Sequence, residues 1–151
     1  MEHARYPHRS DALRRGRCSE PGRAYLVTTV TRGRERLFAD WRVGRWVALE
    51  LCAAPAETLA WVLMPDHLHW LMVLQDGTLA ATVRQVKSRS AIAVNRYLGR
   101  AGRVWQKDYH DHAVREEEDL RAMARYVVAN PLRAGLVERI GDYPLWGASW
   151  L

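Results

Sequence analysis

The stretch Trp61-Val-Leu-Met-Pro-Asp-His-Leu-His-Trp-Leu-Met-Val-Leu74 limits the possible folds more than any other part of the chain. Two apolar runs meet at Pro65-Asp66. Runs of this length, bounded by Pro and Asp, predict buried strands over Leu59–Met64 and His67–Leu74, paired as a hairpin. Side chains alternate along a strand, so His67 and His69 share one face, roughly 6–7 Å apart, with Leu68 and Trp70 on the other. Polar rings in a central strand cost free energy to bury unless they have partners. The pair admits two readings: a satisfied core histidine beside a chance neighbour, or two imidazoles sharing a divalent metal.

A length of 151 residues suits one domain with its own core. The apolar share of 48% places the chain among folded proteins. No apolar run approaches the roughly 20 residues of a membrane span, and the basic N-terminus lacks the apolar segment of a signal peptide. Cys18 and Cys52 form neither a CxxC pair nor a metal-ligand spacing, so a reduced, cytoplasmic setting is expected. The formal charge is +6, with Arg14, Arg15 and Arg17 clustered early and Arg84, Lys87 and Arg89 in the middle. A balance of that sign favours a polyanionic partner such as nucleic acid. The same residues on a helix also fit a solvated face.

In chain order, residues 1–22 are charged and aperiodic and are expected to form an arm, mobile until it meets a partner. Arg23–Arg32 is rich in Tyr, Val and Thr and predicts the first strand. A charged turn follows over Gly33–Leu37. Asp40 is placed to cap a helix reaching about Ala54, closed by Pro55. After the hairpin, Gly77 and Thr78 open a long helix to about Leu98, with Leu79, Val83, Val86 and Val94 as its apolar stripe. Val104–Arg115 resumes strand character. An acidic first turn then starts a helix at Glu116, expected to stop at Asn130-Pro131 because the residue before Pro disfavours the α conformation. Leu132–Leu151 looks irregular. Strand–helix–strand–strand–helix–strand is the order of a split βαβ, ferredoxin-like α+β domain, here over residues 23–151 with an additional C-terminal helix.

On that last helix Leu120, Met123, Ala124 and Val127 form the core stripe, while Tyr126 and Asn130, four apart, share a face beside it. A helix docked on the open sheet face could bring the pair to His67 and His69. By spacing alone Tyr126 reads first as a packing residue and Asn130 as a helix C-terminal one, and Tyr97 and Tyr109 stand as rival phenols.

Several motifs in order now carry a resemblance. Met64-Pro-Asp-His-Leu-His69, Trp105-Gln-Lys-Asp-Tyr109, Arg115 with Glu117 to Leu120, and Tyr126-Val-Val-Ala-Asn-Pro-Leu-Arg-Ala-Gly-Leu136 resemble the REP-associated tyrosine transposases. Leu13-Arg-Arg-Gly-Arg-Cys-Ser-Glu-Pro-Gly22 leading to Tyr25-Leu-Val-Thr-Thr29 is similar as well. The likeness covers about residues 12–146. These proteins belong to the single-tyrosine HUH class, related to insertion-sequence transposases. The resemblance implies a ferredoxin-like sheet with the catalytic helix near the HUH strand. It implies that His67, His69 and Asn130 hold Mg²⁺ or Mn²⁺, and that Tyr126 attacks single-stranded DNA to form a 5′-phosphotyrosine link. The substrate implied is hairpin-forming palindromic repeat DNA, met by a monomer or a homodimer at the nucleoid, with Arg14, Arg15, Arg17, Arg84, Lys87, Arg89, Lys107 and Arg115 as DNA contacts. Insertion-sequence relatives carry Gln where this chain has Asn130, so transposition and repeat processing both stay open. Two other classes compete on the residues alone. A ferredoxin-like sheet can bind single-stranded DNA or RNA without chemistry. A zinc hydrolase would want HExxH spacing or thiolate ligands, which the sequence lacks.

Overall fold

The computed structural model describes residues 19–149. Its elements are β1 (Ala24–Val30), α1 (Trp41–Ala53), β2 (Ala56–Met64), β3 (His67–Leu74), α2 (Leu79–Leu98), β4 (His110–Val114), α3 (Glu117–Val128), α4 (Asn130–Arg133) and β5 (Trp146–Ala148). All pairings are antiparallel and the sheet order is β4-β1-β3-β2-β5. The first four strands follow the expected ferredoxin-like arrangement, with the histidine strand at the centre.

Local chemistry explains the boundaries. The Asp40 carboxylate accepts from the Arg42 backbone N–H at 3.0 Å, and the Thr78 hydroxyl accepts from that of Ala81 at 3.1 Å, capping α1 and α2. Gly99, at φ 66°, ends α2 in the left-handed conformation that glycine takes without steric cost. On one sheet face Leu63, Leu68, Trp70, Met72 and Leu74 are almost wholly buried, and the Trp70 indole N–H is satisfied by the Thr58 hydroxyl at 2.9 Å. Each such side chain contributes about 1.5–3 kcal/mol through removal from water. On the other face Ala60, Val62 and Leu71 are equally buried. The element seated over β2, β3 and β5 is α3, through a stripe that includes Ala124, Val127 and Val128.

Four expectations need correction. The strand expected over Val104–Arg115 is ladder-bonded only from His110 to Val114, apart from one bridge between Thr31 and Trp105. Trp105 instead turns inward, donating to the Ser90 hydroxyl at 2.9 Å beside the Phe38 ring. The second strand starts at Ala56, three residues ahead of Leu59. The supposedly irregular C-terminus contains β5, an edge strand on β2, with Gly147 so close to Trp61 that an added Cβ would lie 2.6 Å from the indole nitrogen. Residues 19–22 lie against the fold: the Ser19 hydroxyl accepts from the Leu79 N–H, and the Gly22 N–H donates to the Leu74 carbonyl. Arg14, Arg15, Arg17 and Cys18 lie outside the described residues. No helix among the described residues is long and apolar enough to cross a membrane.

Candidate active site

The sheet pleat sets the histidine pair, as expected. His67 and His69 project to the α3 side with ring centroids 4.8 Å apart and planes at 86°. Each Nδ1 is engaged: that of His67 with Asp66 Oδ1 at 2.7 Å, that of His69 with Thr28 Oγ1 at 2.9 Å. Thr28 is directly opposite His69 in the register of β1 and β3. A carboxylate on Nδ1 fixes the tautomer that leaves Nε2 a lone pair, and a hydroxyl that can accept is compatible with the same tautomer. Neither Nε2 atom has a hydrogen-bond partner among the described residues.

The Pro65-Asp66 turn that aims His67 is itself pinned. Buried Thr31 donates its backbone N–H and its hydroxyl to the Asp66 carbonyl, and the Phe38 N–H donates to that of Pro65. Arg34, at φ 56° in the left-handed region where side chains other than glycine are uncommon, reaches the second carboxylate oxygen of Asp66 at 3.4 Å. Burial pushes the Asp66 carboxyl up, yet the His67 hydrogen bond and charge together with Arg34 outweigh it and hold the group below 3.8. Asp66 is thus an anion at neutral pH.

Burial, then the neighbouring His67, then Arg133 press the His69 pKa from 6.5 down to about 4. The ring is neutral at pH 7, the form that ligates metals. One pH dependence follows. The unfolded chain takes up a proton on this ring near pH 6.5, whereas the folded ring resists to about 4. Stability contributed above pH 6.5 therefore drains as pH falls, by at most about 3 kcal/mol at pH 4. Thermal melts in chelator should show a steeper decline between pH 6.5 and 4 for the wild type than for His69→Asn. Parallel curves would remove His69 as the cause.

The other half of the site comes from α3 and the turn after it. The expected stop at Asn130-Pro131 is displaced: α3 ends at Val128, Ala129 is a one-residue break, and Asn130–Arg133 form a further helical turn with Pro131 near its start. Pro131 has no N–H for the Val127 carbonyl. The Asn130 side-chain amide supplies it instead, donating to Val127 at 3.0 Å and to Tyr126 at 3.3 Å. The Arg133 guanidinium donates to the Tyr126 carbonyl at 2.7 Å and lies 3.9 Å from the Tyr126 ring centroid. Tyr126 is 54% exposed, so its hydroxyl is reachable from solvent. Of its rivals, Tyr109 is buried, and Tyr97, also exposed, stacks with Trp46 and Arg45 in the helical layer.

The Asn130 NH₂ is spent on backbone carbonyls, so its oxygen is the half left for a ligand. No hydrogen bond joins Asn130 or Tyr126 to either imidazole. No group of three or more His, Cys, Asp or Glu able to hold a metal occurs among the described residues, which speaks against a closed structural zinc site. The Nε2 atoms of His67 and His69 and the Asn130 amide oxygen are the donor types of an open divalent-cation site with room for water and phosphate.

Of the remaining candidates, Arg84, Arg89, Lys107 and Arg115 are exposed. Lys87 is employed otherwise: its ammonium holds the carbonyls of Gln106, Lys107 and Asp108 at 2.7, 3.4 and 3.0 Å. Sequence reasoning passed over Asp66, Thr28, Arg34 and Arg133 as site residues. Only Arg133 carried a local signal, seven residues after Tyr126 and so on the same helical side.

An Escherichia coli REP-associated tyrosine transposase is 29% identical over 92 residues, covering 60% of this chain and 53% of that protein. A Haemophilus influenzae relative carrying the same name provisionally is 31% identical over 101 residues, covering 60% of this chain and 57% of its own. The chain thus spans about half the length of the curated relatives it matches. The solved structure of a REP-associated tyrosine transposase bound to a REP hairpin superposes with a TM-score of 0.68 at 23% identity, over 85% of this chain and 78% of that one, and so shares the fold. The family model for IS200-like transposases matches residues 24–130, from the first residue of β1 through the histidine strand to Asn130, and the chain belongs to that family.

Proposed function

We propose that this chain cuts and rejoins single-stranded DNA beside a hairpin-forming repeat, with Tyr126 as the nucleophile. The observation that carries the reading is the imidazole pair, His67 beside a neutral His69, on the sheet face covered by the helix that presents an exposed, Arg-backed tyrosine. His67, His69 and the Asn130 oxygen would hold Mg²⁺ or Mn²⁺, which when bound polarises the scissile phosphate and offsets developing charge. Asp66 and Thr28 keep the two rings aimed. The Tyr126 oxygen attacks phosphorus, the P–O3′ bond breaks, the phenolic proton passes to solvent, and the departing 3′ oxygen takes one up. The product is a 5′-phosphotyrosine link plus a free 3′-hydroxyl, and reversal needs no external energy source because the phosphodiester bond is conserved in kind. Arg133, beside the phenol, is placed to steady the phosphate.

The reading extends to partners and place. The arm at residues 1–22, with Arg14, Arg15 and Arg17, and the exposed cations Arg84, Arg89, Lys107 and Arg115 contact the DNA backbone. The chain works in the cytoplasm, at the nucleoid, as a monomer or a homodimer. Whether the outcome is transposition or repeat processing depends on the DNA supplied. Titration of a hairpin with a single-stranded flank and of a plain duplex at several salt concentrations tests the substrate class. Tighter binding of the flanked hairpin and a steep fall with salt are expected. Equal affinities or a flat salt response would overturn it.

A further inference from the structure

The helical layer carries a cleft that neither the imidazoles nor Tyr126 use. It lies between α2 and the segment 103–109 and encloses about 510 Å³, room for a single nucleotide. Val83, Ala91, Val104 and Trp105 give it apolar surface, while Arg84, Arg103 and Lys107 supply charge. A second cleft adjoins it, sharing Arg103, Gln106 and Lys107 and adding Arg32 and Asp108. The two form one cationic trough.

Its walls are preformed. The Lys87 ammonium clamps the carbonyls of residues 106–108, and Ser90 and Phe38 fix the Trp105 ring. Its charge is uncommitted as well: Arg32, Arg84, Arg103 and Lys107 are exposed and form no ion pair with a described residue. Asp108 is the one acid among the lining residues, and nearby Glu35 is held by Arg100 in a bidentate pair at 2.8 and 2.9 Å. The trough also begins near the chemistry. The Arg32 N–H donates to the Val104 carbonyl and the Gln106 N–H to that of Val30, and Val30 is the register partner of His67.

We infer that this trough is the path of a single nucleic-acid strand leading away from the His67 end of the sheet, with one unpaired base on the apolar surface and successive phosphates on Arg84, Arg103, Lys107 and Arg32. The inference rests on the proposed DNA chemistry for the direction of the strand. Single strands suit such a site because their bases are free to leave the stack and lie on aromatic and aliphatic surface while cations track the backbone. A duplex keeps its bases stacked and offers none to the cleft.

Fluorescence anisotropy in chelator, where no cleavage occurs, provides the test. The probes are a hairpin with a single-stranded flank and the same hairpin with a blunt foot. The Arg103→Glu/Lys107→Glu double variant reverses the trough's charge, and Ser88→Trp fills the cleft from an exposed helical position without altering charge. Both should weaken the flanked hairpin by about tenfold or more and leave the blunt one little changed. Unchanged affinity for the flanked hairpin in both variants, or equal losses on the two DNAs, would overturn the inference. A wild type that forms no adduct on Tyr126 would count against the proposed chemistry instead, since this measurement is read with the metal chelated.

Discussion

Tyr126→Phe should abolish strand cleavage while hairpin binding and folding stay close to wild type. The substitution removes one oxygen from a side chain that is 54% exposed, so neither a cavity nor a buried unsatisfied group results. The ring that Arg133 covers at 3.9 Å is retained. Loss of a nucleophile removes the reaction channel itself, so the rate should fall by at least about 10³-fold. Incubation with a labelled hairpin and Mn²⁺, followed by mass mapping of the modified peptide, should find the wild-type adduct on Tyr126. An adduct on Tyr97 or Tyr109, or full cleavage by the Phe variant, would reject Tyr126 as the nucleophile. Buried Tyr109 would have to leave the core to reach a phosphate, whereas Tyr97, 42% exposed, packs against Trp46 and Arg45 in the helical layer.

The second large effect is expected at the imidazoles. His69→Ala removes one of two nitrogen donors while leaving His67, Asp66 and the distant cationic surfaces in place. Cleavage with Mg²⁺ or Mn²⁺ should fall by at least about 10³-fold, because an electrostatic partner for the developing charge is lost. Hairpin affinity in chelator should change little. The Thr28 hydroxyl loses its partner at 2.9 Å, worth about 1 kcal/mol, which a thermal melt would register separately from activity. Cleavage at the parent rate with Mn²⁺ present would overturn the metal assignment.

Much of this protein was legible in the sequence because its strongest signals are local. The run from Trp61 to Leu74 dictated a hairpin, and strand alternation alone put His67 and His69 on one face. Asp40 and Thr78 marked their helix starts because a short oxygen-bearing side chain at that position satisfies an otherwise orphaned N–H. The spacing of Tyr126 and Asn130 was likewise a matter of helical pitch.

What only the tertiary structure decided depends on contacts distant in sequence. Trp105 keeps only an isolated bridge to Thr31, its ring held inward by Ser90 and Phe38, fifteen and sixty-seven residues away. β5 took strand form because β2 had a free edge, which nothing in Trp146-Gly-Ala148 announces. Lys87 reads as a phosphate contact in sequence, yet in the fold it becomes a clamp on three carbonyls. The His69 ring is neutral for the same kind of reason: the burial, the neighbouring imidazole and the Arg133 charge that depress its pKa come together only when α3 and the turn after it settle on the sheet. Periodicity assigns a residue to a face, but its charge state and partners depend on what the rest of the chain packs against that face.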